Sequence, residues 1–373
     1  MAPSNKRLLS LDAFRGLTVA AMILVNNPGN WAKIFPPLRH AEWHGCTPTD
    51  LIFPFFLFIV GVAIVYALQS KKENESDHNQ LLIKAFKRGC ILFLLGLFLA
   101  LFPKFDFSTV RILGVLQRIG IVYIICAAIF IKTKPKTQFY IMIGILILYW
   151  ILMTLVPVPG FGVPNLEKET NLAAWLDRVI LTEEHTWKSS RTWDPEGILS
   201  TLPAVATALF GILMGDILKG KERSTAEKTA WIFSFGVMAW ILGMTWGLFF
   251  PINKSLWTSS YVLYCGGLAA MMLALLYWII DVQGYKRWCK IFVAYGINAI
   301  TVFFLSAIIA KAMGIIKVDH NGEEISLRTW LYDTFFTSWL PPDIASLAWA
   351  LSFVLFFLML LWPMYKKNLI IKV

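Results

Sequence analysis

Some ten stretches of this chain are each long and apolar enough to cross a lipid bilayer, and that repetition leaves little choice of architecture. At 1.5 Å of rise per residue, a helix needs about 20 residues to traverse a hydrocarbon core of roughly 30 Å. No water reaches the backbone there, so each run must satisfy its own hydrogen bonds as a helix. The runs lie near residues 8–26, 51–69, 86–102, 110–131, 139–156, 198–217, 229–250, 258–281, 291–312 and 343–363. The expectation is an all-α fold, a polytopic membrane protein of about ten transmembrane helices forming one domain over residues 1–373. The composition agrees, with 57% hydrophobic and only 15% charged residues and a mean hydropathy of +0.64.

A net charge of +11 would suggest nucleic acid in a soluble protein. Here the basic residues fall in clusters on alternate loops: Lys6 and Arg7, then Lys71 to Arg88, Lys132 to Lys136, Lys219 to Lys228, Lys286 to Lys290, and Lys366 to Lys372. That is the positive-inside pattern, which places both termini inside and excludes nucleic acid as the partner. No small-residue cleavage site follows the N-terminus, so the first run reads as a retained helix in a multi-pass cytoplasmic (inner) membrane protein. The five cysteines include no CxxC pair, which argues against a disulfide framework and against a zinc site. Two outer loops are long, 157–197 and 313–342, and both are rich in tryptophan. Interfacial anchoring and sugar stacking are both open to such residues.

Several ionisable groups fall where lipid should be. Asp12 and Arg15 share one helical face, as a helix-end ion pair or as part of a wet interior. In RILGVLQRIGIVY, residues 111–123, Arg118 is expected about 10 Å deeper than Arg111, too far for easy snorkelling. Gln117 and Arg118 together imply a polar, occupied cavity. Asn26, Asp50, Asn298, Asp194 and Glu196 enter spans or their ends, and Asp194 before Pro195 reads either as a helix N-cap or as a substrate contact.

The segment HAEWHG, residues 40–45, gathers two of the five histidines at the outer face. A zinc site is one reading, but H-x-E-x-H displaces the glutamate from the face that a metalloprotease base occupies, and no third ligand is evident. A structural loop histidine beside an interfacial Trp43 is another. The third is a general base or nucleophile, since imidazole titrates near neutrality and Asn26, Glu42 and Asp50 are at hand to orient it.

Taken together, SLDAFRG at 10–16, VNNPGNW at 25–31, HAEWHGCTPTDLIFPFFLFIVG at 40–61, RILGVLQRIGIVY at 111–123, WDPEGILSTLPA at 193–204 and YGIN at 295–298 resemble the membrane domain of the heparan-α-glucosaminide N-acetyltransferase family and its bacterial relatives. The resemblance implies a transmembrane acetyltransferase that takes acetyl groups from cytoplasmic acetyl-CoA to the amine of a glucosamine-type sugar on the other side. It implies that His40 is the active histidine and that Asn26 faces it. The lysosomal members carry asparagine where His44 stands, so His44 is not expected to be indispensable, and they carry a large lumenal domain before the spans, which leaves other amino sugars open as the acceptor here.

On this reading His40, Asn26 and Asp50 form the catalytic group. Gln117, Arg118, Arg111, Lys87, Arg88 and Arg287 are the expected acetyl-CoA contacts, with Lys84 and Lys286 beside them. Charge-assisted bonds to the CoA phosphates would suit these bases, although they also serve as positive-inside markers. Trp43, His44, Trp193, Asp194, Glu196 and Asn298 are the expected contacts to the acceptor. Acetyl-CoA is a co-substrate, no metal is called for, lipid surrounds the chain, and assembly as a homodimer is left open. The alternative is a transporter with Asp12, Arg15 and Arg118 around a midplane site, which lacks the paired broken helices such a fold would show.

Overall fold

The structure is a computed structural model describing residues 8–74, 77–320 and 322–371. Lys6, Arg7 and Lys372, used above to orient the chain, lie outside the described residues, as do Glu75 and Ser76. Thirteen α-helices are present among them: α1 Leu9–Asn26, α2 Ile52–Asn74, α3 His78–Leu101, α4 Val115–Lys132, α5 Pro135–Leu155, α6 Leu172–Leu181, α7 Ile198–Lys219, α8 Thr225–Gly247, α9 Ser259–Leu276, α10 Lys290–Ile297, α11 Ala299–Ile315, α12 Leu327–Tyr332 and α13 Pro342–Lys366. One antiparallel hairpin, β1 Lys317–His320 with β2 Glu323–Ser326, precedes α12.

Among the described residues, eight helical stretches are long and apolar enough to cross a membrane, and α10 with α11 makes a ninth as one bent span. The tenth expected run is α3, 24 residues long, which carries Lys84, Lys87 and Arg88 and becomes continuously apolar only from Gly89. The protein is a polytopic α-helical membrane protein.

Two boundaries differ from the sequence reading, each for a local reason. Residues 110–114 are not helical, and Gly114 is fully extended, so α4 starts five residues later than expected. Arg118 therefore lies in the first turn of α4, its amide closing on the Gly114 carbonyl at 2.9 Å, and is shallower along the helix than a span from residue 110 implied. The run 291–312 is broken at Asn298, where the axis turns by 80°. The long loops carry elements of their own, α6 in 157–197 and the hairpin with α12 in 313–342.

The chain divides into two compact units. The first holds the described residues through Arg39, Lys221–Ser234, and those from Ala270 onward. In it α1 packs on α10 and α13. Asp12 and Arg15 form an ion pair at 3.1 Å in the opening turns of α1, and Arg15 also reaches the Gly296 carbonyl at 3.3 Å. This is the helix-end ion pair of the sequence reading. The backbone of Asn30 exchanges hydrogen bonds with the Ser346 hydroxyl, and Arg328 donates to the Pro28 carbonyl, so the NNPGNW turn is tied to α12 and α13.

The second unit spans His40–Gly220 and Phe235–Ala269. Here α2 lies along α7, α3 along α4, and α4, α5 and α6 pack on α7. A Cβ at Gly211 would strike the Phe58 carbonyl and one at Gly61 the Ala208 carbonyl, so α2 and α7 approach backbone to backbone. Lipid gives helices no hydrophobic drive to associate, and close van der Waals contact at such small residues supplies it instead. Tyr149, Met153, Ala173, Phe250 and Leu256 form a buried cluster under the long loop, with Trp43 and Leu166 against it.

Candidate active site

Thr47, Pro48 and Asp50 start α2 through a short 3-10 turn with a reciprocal capping box, in which the Thr47 side chain serves Asp50 and the Asp50 side chain serves Thr47. That cap fixes the carboxylate. Asp50 Oδ2 accepts from the Ala41 amide, the Thr47 amide and the Thr47 hydroxyl, each at 3.0 Å. Asp50 Oδ1 is left to face His40 Nδ1 at 2.6 Å. The Tyr261 hydroxyl donates to the Asp50 carbonyl at 2.6 Å and holds the turn from α9. Asp50 is only 1% exposed in its side chain, whereas His40 is 50% exposed. An ionised carboxylate only accepts, so Nδ1 carries the proton and Nε2 keeps a lone pair open to a substrate. Of the three orienting partners considered from sequence, the structure brings Asp50 to His40.

The second half of HAEWHG is pinned to the loop before α9. The Gly45 amide donates to the Ile252 carbonyl at 2.7 Å, with Gly45 in the left-handed region at φ +110. His44 Nδ1 lies 3.4 Å from the Asn253 side-chain nitrogen, and burial lowers the His44 pKa against the raising effect of Glu167. This pairing sets the register of Lys254. Its ammonium stands 3.0 Å from His40 Nδ1, 3.3 Å from His40 Nε2 and 3.6 Å from Asp50 Oδ1. Burial lowers the Lys254 pKa, opposed by the nearby charges of Asp50 and Glu196.

Aromatics flank these groups. Trp43 donates to the Leu166 carbonyl at 2.8 Å and meets Trp193 edge-on at 5.2 Å, and Trp187 meets Trp193 at 5.3 Å. Lys168 lies over Trp43 at 5.8 Å.

A second charged group sits where α4 and α7 begin. Arg111 donates to Asp194 through Nε at 2.8 Å and Nη2 at 2.5 Å, and Nη2 also bonds Glu196. Burial alone would lower the Arg111 pKa, but the two carboxylates overcome it and the net direction is upward. Burial raises Asp194, while Glu196, burdened by the same burial, is brought down by Arg111 and Arg118. Asp194 does not cap α7. The cap comes from Asp177 on α6, whose Oδ1 accepts from the Ile198 amide at 2.9 Å and whose Oδ2 accepts from the Asp194 amide at 3.3 Å. Asp194 instead closes a local turn, accepting from the Glu196 amide at 2.9 Å. Desolvation pushes the Asp177 pKa up to about 7.

Arg118 is fully buried. Its Nη2 donates to the Gly197 carbonyl at 3.1 Å and to the Ser200 hydroxyl, and its guanidinium lies 5.1 Å from the Trp257 ring. Nε and Nη1 have no partner among the described residues. Trp257, also fully buried, holds a left-handed backbone at φ +54, a conformation that costs a non-glycine residue on the order of 1–3 kcal/mol. Its indole donates to Thr207 at 3.0 Å and it packs edge-on against Phe53 and Tyr261.

The remaining sequence-selected residues are dispersed. Gln117 is buried in the first turn of α4, with its amide oxygen facing Gly96 and Gly114. Lys87 and Arg88 are exposed on α3, and the Arg88 guanidinium lies 5.1 Å over the Tyr123 ring, five residues along α4 from Arg118. Three belong to the first unit. Arg287 is exposed after α9, and Asn26 is exposed at the end of α1. Asn298 has both amide atoms occupied, donating to the Leu369 carbonyl at 3.0 Å and accepting from the Ile371 amide at 2.9 Å, so it closes the break between α10 and α11.

Lys254, Asp177 and Trp257 were not singled out by sequence. Lys254 had one legible signal, as the sole basic residue between the runs 229–250 and 258–281.

Comparison with known proteins accords with this geometry. Residues 7–245 match the family described as "Heparan-alpha-glucosaminide N-acetyltransferase, catalytic". The proteins named heparan-alpha-glucosaminide N-acetyltransferase from Homo sapiens and Mus musculus are each 29% identical, over 349 and 352 residues, covering 80% of this chain. They are matched over 52% and 53% of their own length, so the chain spans about half the length of these relatives. The match contains HAEWHG, Asp50, Arg111, Arg118 and Asp194, and the chain belongs to the heparan-alpha-glucosaminide N-acetyltransferase catalytic family.

Proposed function

We propose that the protein is an acetyl-CoA-dependent N-acetyltransferase of the cytoplasmic (inner) membrane, with both termini inside, which passes an acetyl group to the amine of a glucosamine-type sugar on the outer side. The observation that carries this reading is the His40–Asp50 pair. A buried, triply bonded carboxylate holds one nitrogen of a half-exposed imidazole and leaves the other free, the arrangement a general base requires. Family membership supplies the acyl-transfer context.

In this reaction the neutral sugar amine gives its proton to His40 Nε2 as its nitrogen attacks the thioester carbonyl carbon. The carbon–sulfur bond then breaks and CoA leaves as the thiol, taking the proton from Nε2. Trp43, Trp193 and His44 border the acceptor. The unpartnered Nε and Nη1 of Arg118 suit the amide carbonyls of the pantetheine arm, because a buried donor without an acceptor costs about 1–3 kcal/mol and a ligand carbonyl removes that cost. Lys84, Lys87 and Arg88 run exposed along α3 beside α4, Arg88 at the level of Tyr123, which is about 8 Å from Arg118 along the α4 axis, and suit the CoA phosphates. His40 and Asp50 remain the catalytic assignment within the second unit, and Asn26 stays with them as the residue the family resemblance adds.

Purified protein in detergent, given acetyl-CoA and glucosamine, is expected to release free CoA and form N-acetylglucosamine. His40→Ala should abolish both while retaining its folded yield. Full transfer by His40→Ala would remove the base from His40. Glucosamine uptake into vesicles without acetyl-CoA consumption would replace the enzyme by a transporter.

A further inference from the structure

Acyl transfer through a tetrahedral intermediate places a negative charge on the former carbonyl oxygen, and a fixed donor at that point is often the largest single contribution to rate. Among the cations at this end of the second unit, Lys168 lies over Trp43 and Arg178 donates to the Glu169 and Thr192 carbonyls, which leaves Arg111, Arg118 and Lys254 to compare. Arg111 is bound by two carboxylates. Arg118 is fully buried against Gly197, Ser200 and Trp257. Lys254 alone of the three touches His40.

The position of Lys254 is informative. Its nitrogen is nearly equidistant from both ring nitrogens of His40, at 3.0 and 3.3 Å. A donor in line with the Nε2 lone pair would lie much farther from Nδ1, so Lys254 sits beside the ring and leaves that lone pair open. Nδ1 is already committed to Asp50 at 2.6 Å, so Lys254 does not set the tautomer either. Its contact with Asp50 Oδ1 is a long ion pair at 3.6 Å that can engage one of the three ammonium protons, and the others can turn to a ligand.

We propose that the Lys254 ammonium is a catalytic residue that donates to the oxyanion formed on the thioester carbonyl. The inference rests on the acetyltransferase reading above. An amine whose proton goes to Nε2 must place its nitrogen within hydrogen-bond reach of that atom. The carbonyl carbon it attacks is one bond farther, and the carbonyl oxygen one more, so this oxygen falls within reach of an ammonium 3.3 Å from Nε2. As the carbon–nitrogen bond forms, the carbonyl π pair moves onto oxygen beside Lys254. As the carbon–sulfur bond breaks, the pair returns and CoA departs. Lys254 stays protonated throughout. Two neighbouring carboxylates, Asp50 and Glu196, favour the ammonium against the desolvation that burial imposes.

The test compares Lys254→Met, Lys254→Gln and Lys254→Arg in detergent, with acetyl-CoA and with fluoroacetyl-CoA, using glucosamine as acceptor. For Lys254→Met and Lys254→Gln, kcat with acetyl-CoA should fall about 100-fold or more, with KM for both substrates nearly unchanged. Lys254→Arg should recover most of the loss. Fluorine withdraws electrons and stabilises the oxyanion by itself, so the deficit should shrink clearly with fluoroacetyl-CoA. A merely structural lysine would not distinguish the two thioesters, and an equal loss with both would overturn the proposal. So would a loss confined to KM, or activity near that of the wild type. Should Lys254→Met fail to fold, the Gln and Arg pair carries the comparison. Absence of transfer by the wild type to any amino sugar would instead count against the acetyltransferase reading itself.

Discussion

Replacing Asp50 by asparagine tests the His40–Asp50 pair with almost no change in shape. Asparagine offers one acceptor oxygen and one donor nitrogen, and the surroundings decide which way they point. Three donors converge on the Oδ2 position, from Ala41, from the Thr47 amide and from the Thr47 hydroxyl, each at 3.0 Å. Leaving them unmatched would cost about 1–3 kcal/mol apiece, so the amide oxygen must face them. The NH2 group then faces His40 Nδ1 and can only donate to it. Nδ1 becomes the acceptor and the ring proton moves to Nε2, the atom that has to take the proton of the amine. The histidine keeps its place and loses its basic nitrogen. The same change in a Ser-His-Asp triad lowers kcat by about 10⁴ for the same reason, and a loss of about 10³ to 10⁴ is expected here. CoA release at saturating acetyl-CoA and glucosamine measures it, and thermal unfolding should show a small shift. Activity within about tenfold of wild type would refute the assignment of Asp50 as the residue that sets the tautomer. Asp50→Ala is the poorer probe, because it strands the three donors and confuses folding with chemistry.

Other outcomes follow from neighbouring groups. Asp177, raised to about 7 chiefly by desolvation, holds more protons folded than unfolded between about pH 4 and pH 7, so the protein should lose stability as pH rises through that window. Asp177→Asn should flatten the wild-type fall in melting temperature between about pH 4 and 7, and an unaltered slope would contradict it. Asp194→Ala leaves Arg111 with Glu196 alone in a buried site and should destabilise by about 3–5 kcal/mol, read as lost folded yield, whereas Asp194→Asn should cost less. Arg118→Met should raise KM for acetyl-CoA far more than KM for the acceptor; equal changes would remove Arg118 from the CoA path. Acetyl-CoA without acceptor should give no stoichiometric burst of CoA, and such a burst would mean that an acetyl-enzyme precedes transfer.

What was legible in the sequence was whatever short range decides. Period, length and charge bias announced the helices, because lipid permits little else, and the nine residues between His40 and Asp50 kept those two within one turn and its cap. The exact starts of helices were less visible. A continuous apolar run from 110 hides the extended Gly114, and that one glycine moves Arg118 into the first turn of α4. Asp194 before a proline looked like the cap of α7, and only tertiary packing shows Asp177 in that place, from a ten-residue helix within a loop.

Lys254 lies at the limit of such reading. Being the sole basic residue between two apolar runs does not by itself set the lysine of INKSLW apart from an interfacial charge. Its role depends on one backbone bond, Gly45 to Ile252, made across some two hundred residues of chain. Gly45 adopts its positive φ without strain and permits that bond, while the strained left-handed Trp257 ends the loop of the lysine over Arg118. Strain of this kind persists only where the surroundings over-determine it. Here it fixes one ammonium beside one imidazole, and a loop that relaxed by a single residue would keep every helix while separating the base from its neighbouring cation.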